Sequence, residues 1–457
     1  MSQSHRMSAA ELRASVGLAG IFGLRMLGMF IILPVFALYA EHLPGGQNHT
    51  LVGLALGAYG LTQAVLQVPF GWMSDRWGRK RTIYLGLIVF ALGSFIAAYA
   101  QDIYIVILGR VVQGAGAISA AVIALTADLT REDQRTKAMA IIGITIGTTF
   151  GLSMIAGPVL ARAIAVPGIF AMTGILALLA LAVVKFIVPE PGANAHPVPA
   201  APSRFSAILR HPDLLRLNVG IFVLHAVLMA LFVVVPFGLR DAGLPAANHW
   251  QVYLPVMVGS VLLMAPPMIV SERRGEQKLA FIASIALLFV AQLMLALLFK
   301  SLFGLVVALL VFFTSFNFLE ASLPALISRV APADAKGTAV GVYSSVQFLG
   351  TFAGAAVGGA VSEHSSATSV FIVCAVLTLV WLGASIGMRV PSKLRTRTYT
   401  VPAISEQQAQ GLSRELLRVP GVREAMVLVS EGVARLTVDS ARFDEQDVLR
   451  LISGEVR

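Results

Sequence analysis

Of the 457 residues, 57% are hydrophobic and only 13% charged, with a mean hydropathy of +0.81, which excludes a soluble globular domain and indicates a polytopic membrane protein. The net charge of +10 is spread over short loops between apolar runs, the pattern of the positive-inside rule and not that of a nucleic-acid-binding surface. The single cysteine, Cys374, lies inside an apolar run and excludes both a disulfide framework and a cysteine metal site.

Apolar runs of about 20 residues cross a bilayer as helices. Such runs predict spans near 14–40, 50–73, 81–100, 103–128, 137–161 and 166–188, then 216–239, 250–271, 279–299, 302–328, 338–361 and 368–389. The first is full length and is expected to remain as a helix, not to be removed as a signal peptide. Between the second and third spans runs Gly71-Trp-Met-Ser-Asp75-Arg76-Trp-Gly78-Arg79-Lys80-Arg81, whose carboxylate and basic cluster cannot sit in hydrocarbon. Its cations mark that face as cytoplasmic. Further loops on that face carry Arg131, Arg135, Lys137, Arg204, Arg210, Arg273, Arg274, Lys278 and Lys336, while the opposite loops carry little beyond Arg162, Arg240 and Lys300. Both chain ends are therefore expected inside.

A proline- and alanine-rich stretch at 189–212 reads as a semi-rigid, solvated connector. It divides the chain into a six-helix bundle at 1–188 and a second at 213–392. A weak internal repeat agrees: 69–78 is echoed by 266–275, with Glu272-Arg273 at the offset of Asp75-Arg76. Ala124-Leu125 followed by Asp133 and Arg135 is echoed by Ala325-Leu326 followed by Asp334 and Lys336. Two related halves facing one cavity is a transporter architecture that works by alternating access.

Three motifs carry a family resemblance. Residues 71–81 resemble the loop 2–3 signature of the major facilitator superfamily. Leu108-Gly109-Arg110-Val111-Val112-Gln113-Gly114-x-Gly116 resembles its fourth-helix motif, whose arginine is associated with proton coupling. Gly147, Gly151, Gly157 and Pro158 are similar to its fifth-helix antiporter motif, with Ser153 where a glycine is usual and Ala161-Arg162 in place of the closing glycines. The resemblance covers about the first 390 residues and, with the tail below, looks most like the YajR-type branch of bacterial efflux permeases. It implies twelve transmembrane helices in two bundles, an inner-membrane location, a small-molecule substrate and proton exchange.

The residues point to two sites. Near the cytoplasmic face, Gly71, Asp75, Arg76, Gly78, Arg79, Arg81, Asp128 and Arg135 are read as a conformational latch, Asp75 accepting from the exposed N–H groups that start the eleventh helix near Lys336. A basic loop that only sets topology is the alternative. Inside the spans, each ionisable residue costs roughly 3 kcal/mol or more at the bilayer centre and marks function by default. Glu320, beside Asn317 in an apolar run, is read as the group that loads and releases a proton, with His225 as its partner; a permanent packing contact is the alternative. Arg25 needs a partner, either Glu320, a substrate or a helix carbonyl. Arg110 and Gln113 share one helix face and, with Gln63 and Gln67, are expected to turn polar groups to the cavity; Gln292 and Gln347 are weaker candidates from the other half. Gly143, Gly147 and Gly151, and Gly350, Gly354 and Gly358, predict close, sliding packing between the halves.

Beyond Arg389 a soluble tail of about 60 residues reads as strand 398–401, helix 405–417, strands 422–430 and 433–439, and helix 444–452. That order is a small α+β ferredoxin-like domain at 396–457 with its last strand short or missing. Residues 417–425 resemble heavy-metal-associated domains, but without thiolates a metal role has no ligands. A regulatory or self-associating module, or a passive cap, remains. No cofactor is expected, since the chain has neither a phosphate-cradling loop nor metal-ligand spacing. Three functions stay open: a proton-driven exporter of drug-like or sugar-like compounds, a nutrient symporter, and a non-transporting sensor.

Overall fold

The computed structural model describes residues 7–131, 134–190, 208, 210–331, 336–388, 394–402, 405–429, 432–439 and 443–453. Most of the 189–212 connector, Asp133, Asp334 and the Ser430-Glu431 turn lie outside them.

Among the described residues, eleven helices are long and apolar enough to cross a membrane. One of them, Arg135–Phe186, is two spans joined at Ala165. The spans are Ala9–Phe30, His49–Trp77, Arg79–Ala98, a fourth made of Ile103–Ala115 and Ser119–Asp128, the two within Arg135–Phe186, then Pro212–Asp241, Trp250–Arg274, Gln277–Leu298, Leu302–Val330, Lys336–His364 and Ala367–Ile386. Side-chain caps start several of them: Ser8 and Glu11 form a capping box, and Asn48, Asp102 and Ser301 each accept from a first-turn N–H.

Three departures from the expected spans have local causes. The first span is not one helix over 14–40. It starts at Ala9, stops at Phe30 just ahead of Pro34, and resumes as Phe36–Ala40. The fourth breaks at 116–118, where Gly116 approaches the third span at Phe90. No loop separates the fifth and sixth, because Ala165 alone, at φ 55° and ψ 173°, makes the turn. Between the second and third spans Gly78 at φ 99° does likewise, a conformation that suits glycine.

The halves are tied together at the end that carries His49. The backbone N–H of His49 donates to Glu363 Oε2 (2.7 Å), its Nδ1 lies 2.8 Å from Ser362 Oγ, and its ring stacks on Phe237 at 5.1 Å. Arg240 donates to Glu41 across the same junction. Just below, Gly53, Gly57 and Gly60 let the second span lie directly on the backbone of the eleventh at Ala355, Phe352 and Phe348. Phe30, Phe150, Phe313 and Phe316 follow, with Phe150 joining the halves at centroid separations of 5.9 and 6.1 Å. Toward the Asp75 end the halves part: no atom comes within 4 Å of a Cβ built on Gly143, Gly147, Gly151, Gly337 or Gly341.

This corrects the expected glycine packing. The fifth-span glycines face open space here, and Gly350, Gly354 and Gly358 pack within their own half on Phe222, Ala226 and Ala230 of the seventh span. The close inter-half contact belongs to the second span instead.

Chain contacts divide the structure into Met1–Ala265 with Phe281–Met388, and Pro266–Ala280 with Arg389–Arg457. In the tail, β1 (Leu394–Thr400), β2 (Val422–Leu428) and β3 (Val433–Asp439) form an antiparallel sheet in the order β1-β3-β2, and Glu406–Leu416 and Glu445–Ser453 are helical. β1 begins earlier than the sequence suggests because it pairs along all of β3, from Leu394 opposite Asp439 to Thr400 opposite Val433. Alternate residues of the strands, Val422, Leu436 and Val438 among them, build a core with Leu416, Val419 and Val448.

Candidate functional site

A cavity of about 290 Å³ lies between the halves, walled by the first, fourth and fifth spans on one side and the seventh, tenth and eleventh on the other. Phe22, Met26, Phe30 and Phe348 make it apolar; Ser119, His225, Glu320, Tyr343 and Gln347 supply polar groups. Glu320 is the one acidic residue away from a helix end among the described spans, and its side chain is 33% exposed, so it faces the cavity. The Gln347 amide nitrogen lies 2.8 Å from His225 Nε2 and 3.4 Å from Glu320 Oε1. With the amide nitrogen as donor, His225 Nε2 is the acceptor of that contact. His225 Nε2 stands 3.9 Å from Glu320 Oε2, so Gln347 bridges the two groups that the sequence reading paired.

Asn317 does not join them. It donates to Ser260 Oγ at 3.0 Å, tying the tenth span to the eighth. Gln292 and Gln67 are buried in the helix packing and do not line the cavity.

Across the cavity, Arg25 is 2% exposed and meets neither Glu320 nor a helix carbonyl. It donates to Tyr59 Oη (3.1 Å), Gln63 Oε1 (2.6 Å) and Ser119 Oγ, and lies 5.7 Å from the centroid of the Phe348 ring. Gln63 passes the chain on by donating to Gly114 O at 2.7 Å. Arg110, 1% exposed, donates to Gln113 Oε1 and Gly28 O and lies 4.9 Å over the Tyr59 ring; its Nε and Nη2 have no partner. Gln113 donates to Ser94 Oγ, so Arg110 and Gln113 serve the interior of their half and not the cavity.

At the Asp75 end, Arg79 gathers Asp75, Asp128 (3.0 Å) and Ser74 (3.2 Å), and Arg135 donates to Ala127 O at 3.3 Å. Arg76 stacks on Trp72 at 4.2 Å, Arg81 is exposed, and Gly71 meets Ala120 at ordinary contact distance. Asp75 takes no bond from the eleventh span among the described residues; its partner is in its own half. In the antiporter-type motif, Gly157 packs on the break in the first span, a Cβ there standing 2.9 Å from Pro34 Cγ.

Some contributors escaped the sequence reading. Lys80, counted there as a topology charge, is buried and donates to Val188 O (2.7 Å) and Glu190 (2.8 Å), fastening the third span to the end of the sixth. Glu11 accepts from the backbone N, Nε and Nη2 of Arg131. The Ser8-x-x-Glu11 spacing was the available signal for that residue. No cluster of three or more metal-ligating side chains occurs among the described residues.

Residues 18–270 and 248–429 match the family model of the Major Facilitator Superfamily. The chain belongs to that superfamily. It is a membrane transporter and not an enzyme, with twelve spans plus a small antiparallel sheet in its tail. The superfamily member YajR, "Inner membrane transport protein YajR" of Escherichia coli, is 42% identical over 452 residues, 98% of this chain and 99% of its own. "Multidrug resistance protein 2" of Bacillus subtilis is 28% identical, covering 80% of this chain and 94% of its own. A crystal structure of a D-xylose-proton symporter superposes with a TM-score of 0.65 at 14% identity, over 83% of this transporter and 98% of that chain, a likeness of fold.

Proposed function

We propose that this transporter is a proton-driven exporter of small organic compounds that works by antiport. The observation that carries the reading is Glu320, the one carboxyl away from a helix end among the described spans, opening into a cavity walled by both halves, with Gln347 donating to it and reaching His225. On this reading the basic loops put the Asp75 end and both chain ends on the cytoplasmic side, as the positive-inside rule favours. The structure is then the inward-open state. In the cycle Glu320 is ionised in this state, and Gln347 donates to it while lying against His225. Cargo enters from the cytoplasm against that carboxylate. After the halves rock, a proton from outside replaces it, and the return delivers the proton inward.

On closure of the cytoplasmic end, Asp75 reaches the start of the eleventh helix while Arg79 and Asp128 brace it, which makes the cluster a latch. The names of the Escherichia coli and Bacillus subtilis relatives support an inner-membrane location and drug-like cargo. We read the tail as a regulatory or self-associating module.

The test is uptake of fluorescent drug-like and sugar-like probes into inverted membrane vesicles with an acid interior. Antiport predicts accumulation that Glu320→Gln abolishes, while exchange of probe down its own gradient persists. Accumulation that runs with the proton flow, or a Glu320→Gln variant that accumulates normally, refutes the reading.

A further inference from the structure

The cavity is electrically lopsided. Arg25 sits directly behind one wall, donating to Ser119 and lying against the Phe22 ring of that wall, and it also reaches the Phe348 ring of the opposite one. All its hydrogen-bond acceptors are neutral. Arg110 lies on the far side of the Tyr59 ring and adds a second buried cation, with Nε and Nη2 unpartnered. Among the described residues, no carboxylate of that half offsets them. Glu11 is engaged by Arg131, Glu41 by Arg240, Asp75 and Asp128 by Arg79, Asp102 by the helix it caps, and Glu190 by Lys80. In a low-dielectric interior such charge is screened little, so the Ser119 wall carries positive potential while the opposite wall carries Glu320.

A plain organic cation gains at Glu320 but is repelled at the Ser119 wall. A plain anion meets the reverse. A cargo bearing both charges gains at both walls, and the apolar lining at Met26, Phe30 and Phe348 accepts its body. We propose that the cargo is a zwitterionic amphiphile whose ammonium group faces Glu320 and whose acidic group faces the Ser119–Arg25 wall, with Arg25 setting specificity for the acidic end. The proposal rests on the antiport reading, since its ammonium group is what exchanges with the proton at Glu320.

Fluorescence titration of the purified full-length protein tests it with three probes that share one dansyl-lysine body and differ in the charge at its α-carbon groups. These are Nε-dansyl-lysine (zwitterion), its methyl ester (cation) and its Nα-acetyl derivative (anion). The zwitterion is expected to bind about tenfold or more tightly than either derivative. Arg25→Gln removes the preference over the ester and Arg25→Lys retains it; Glu320→Gln removes the preference over the acetyl derivative. Should Arg25→Gln not fold, Ser119→Ala, which takes away the wall hydroxyl beside Arg25, is expected to reduce the same preference. An ester that binds the native protein as tightly as the zwitterion overturns the proposal, as does a preference that survives Arg25→Gln. Proton release separates this from failure of the antiport reading. Ester that binds equally well and still releases protons leaves antiport standing and removes only the zwitterion assignment.

Discussion

Replacing Gly57 by valine tests whether the contact between the second and eleventh spans holds the His49 end shut. A Cβ at Gly57 would stand 3.0 Å from Phe352 O, 3.1 Å from Ala355 Cβ and 3.2 Å from Phe352 Cα. Two of these are backbone atoms, so no rotamer change relieves the crowding and the helices must separate. Overpacking of this kind costs about 1–3 kcal/mol. The contact belongs to the closed form of this end, so the cost falls on the conformational equilibrium and shifts it by a factor of about 5–150 toward a state open at the His49 end. Spin labels at Gln47 and Ala246, exposed on opposite halves at that end, report it as growth of a longer-distance population. Gly143→Val, where no atom lies within 4 Å of the added Cβ, leaves the distribution unchanged. A folded Gly57→Val protein with the parental distribution refutes the argument.

Arg79→Gln leaves Asp75 and Asp128 facing each other without their cation. Because Asp75 is 50% exposed, thermal unfolding should show a loss of no more than about 1 kcal/mol, whereas transport should fall severalfold. Glu11→Ala removes the acceptor of three Arg131 bonds and half of a capping box, and is expected to cost about 1–3 kcal/mol in a denaturation measurement. In the tail, partial burial of Tyr399 and its donation to Glu445 (3.0 Å) push the phenol up to about 12. A group raised on folding favours its protonated form, so its stabilising contribution is complete below the unfolded value near 10 and is lost as pH rises toward 12. The difference in ultraviolet titration between the parent and Tyr399→Phe should place that ionisation above 11, a value about one unit over an ordinary tyrosine.

What the sequence made legible, and what it hid, follows from the range of each interaction. Residues 71–81 announce a membrane face because charge and hydrocarbon exclude one another, and the tail strands announce themselves through alternation at Leu436 and Val438. Helix rotation is not written in so direct a form. Gly53 and Gly57 stand four residues apart, as Gly143, Gly147 and Gly151 do, yet only the first pair meets a partner in this state. Arg25 stands out in the sequence as a charge in need of company, but its neighbours Tyr59, Gln63 and Ser119 come from two other spans and are fixed only by packing. The same holds for Gln347, whose place between His225 and Glu320 depends on three helices meeting.

Ala165 has a practical corollary for anyone mapping how the polypeptide threads the bilayer. A one-residue elbow offers a protease or an antibody no tether to grip, and an epitope inserted there must prise apart two neighbouring rods. Reporters intended for that side belong at the tips around Gln47 or Ala246, whose side chains already lie in the open.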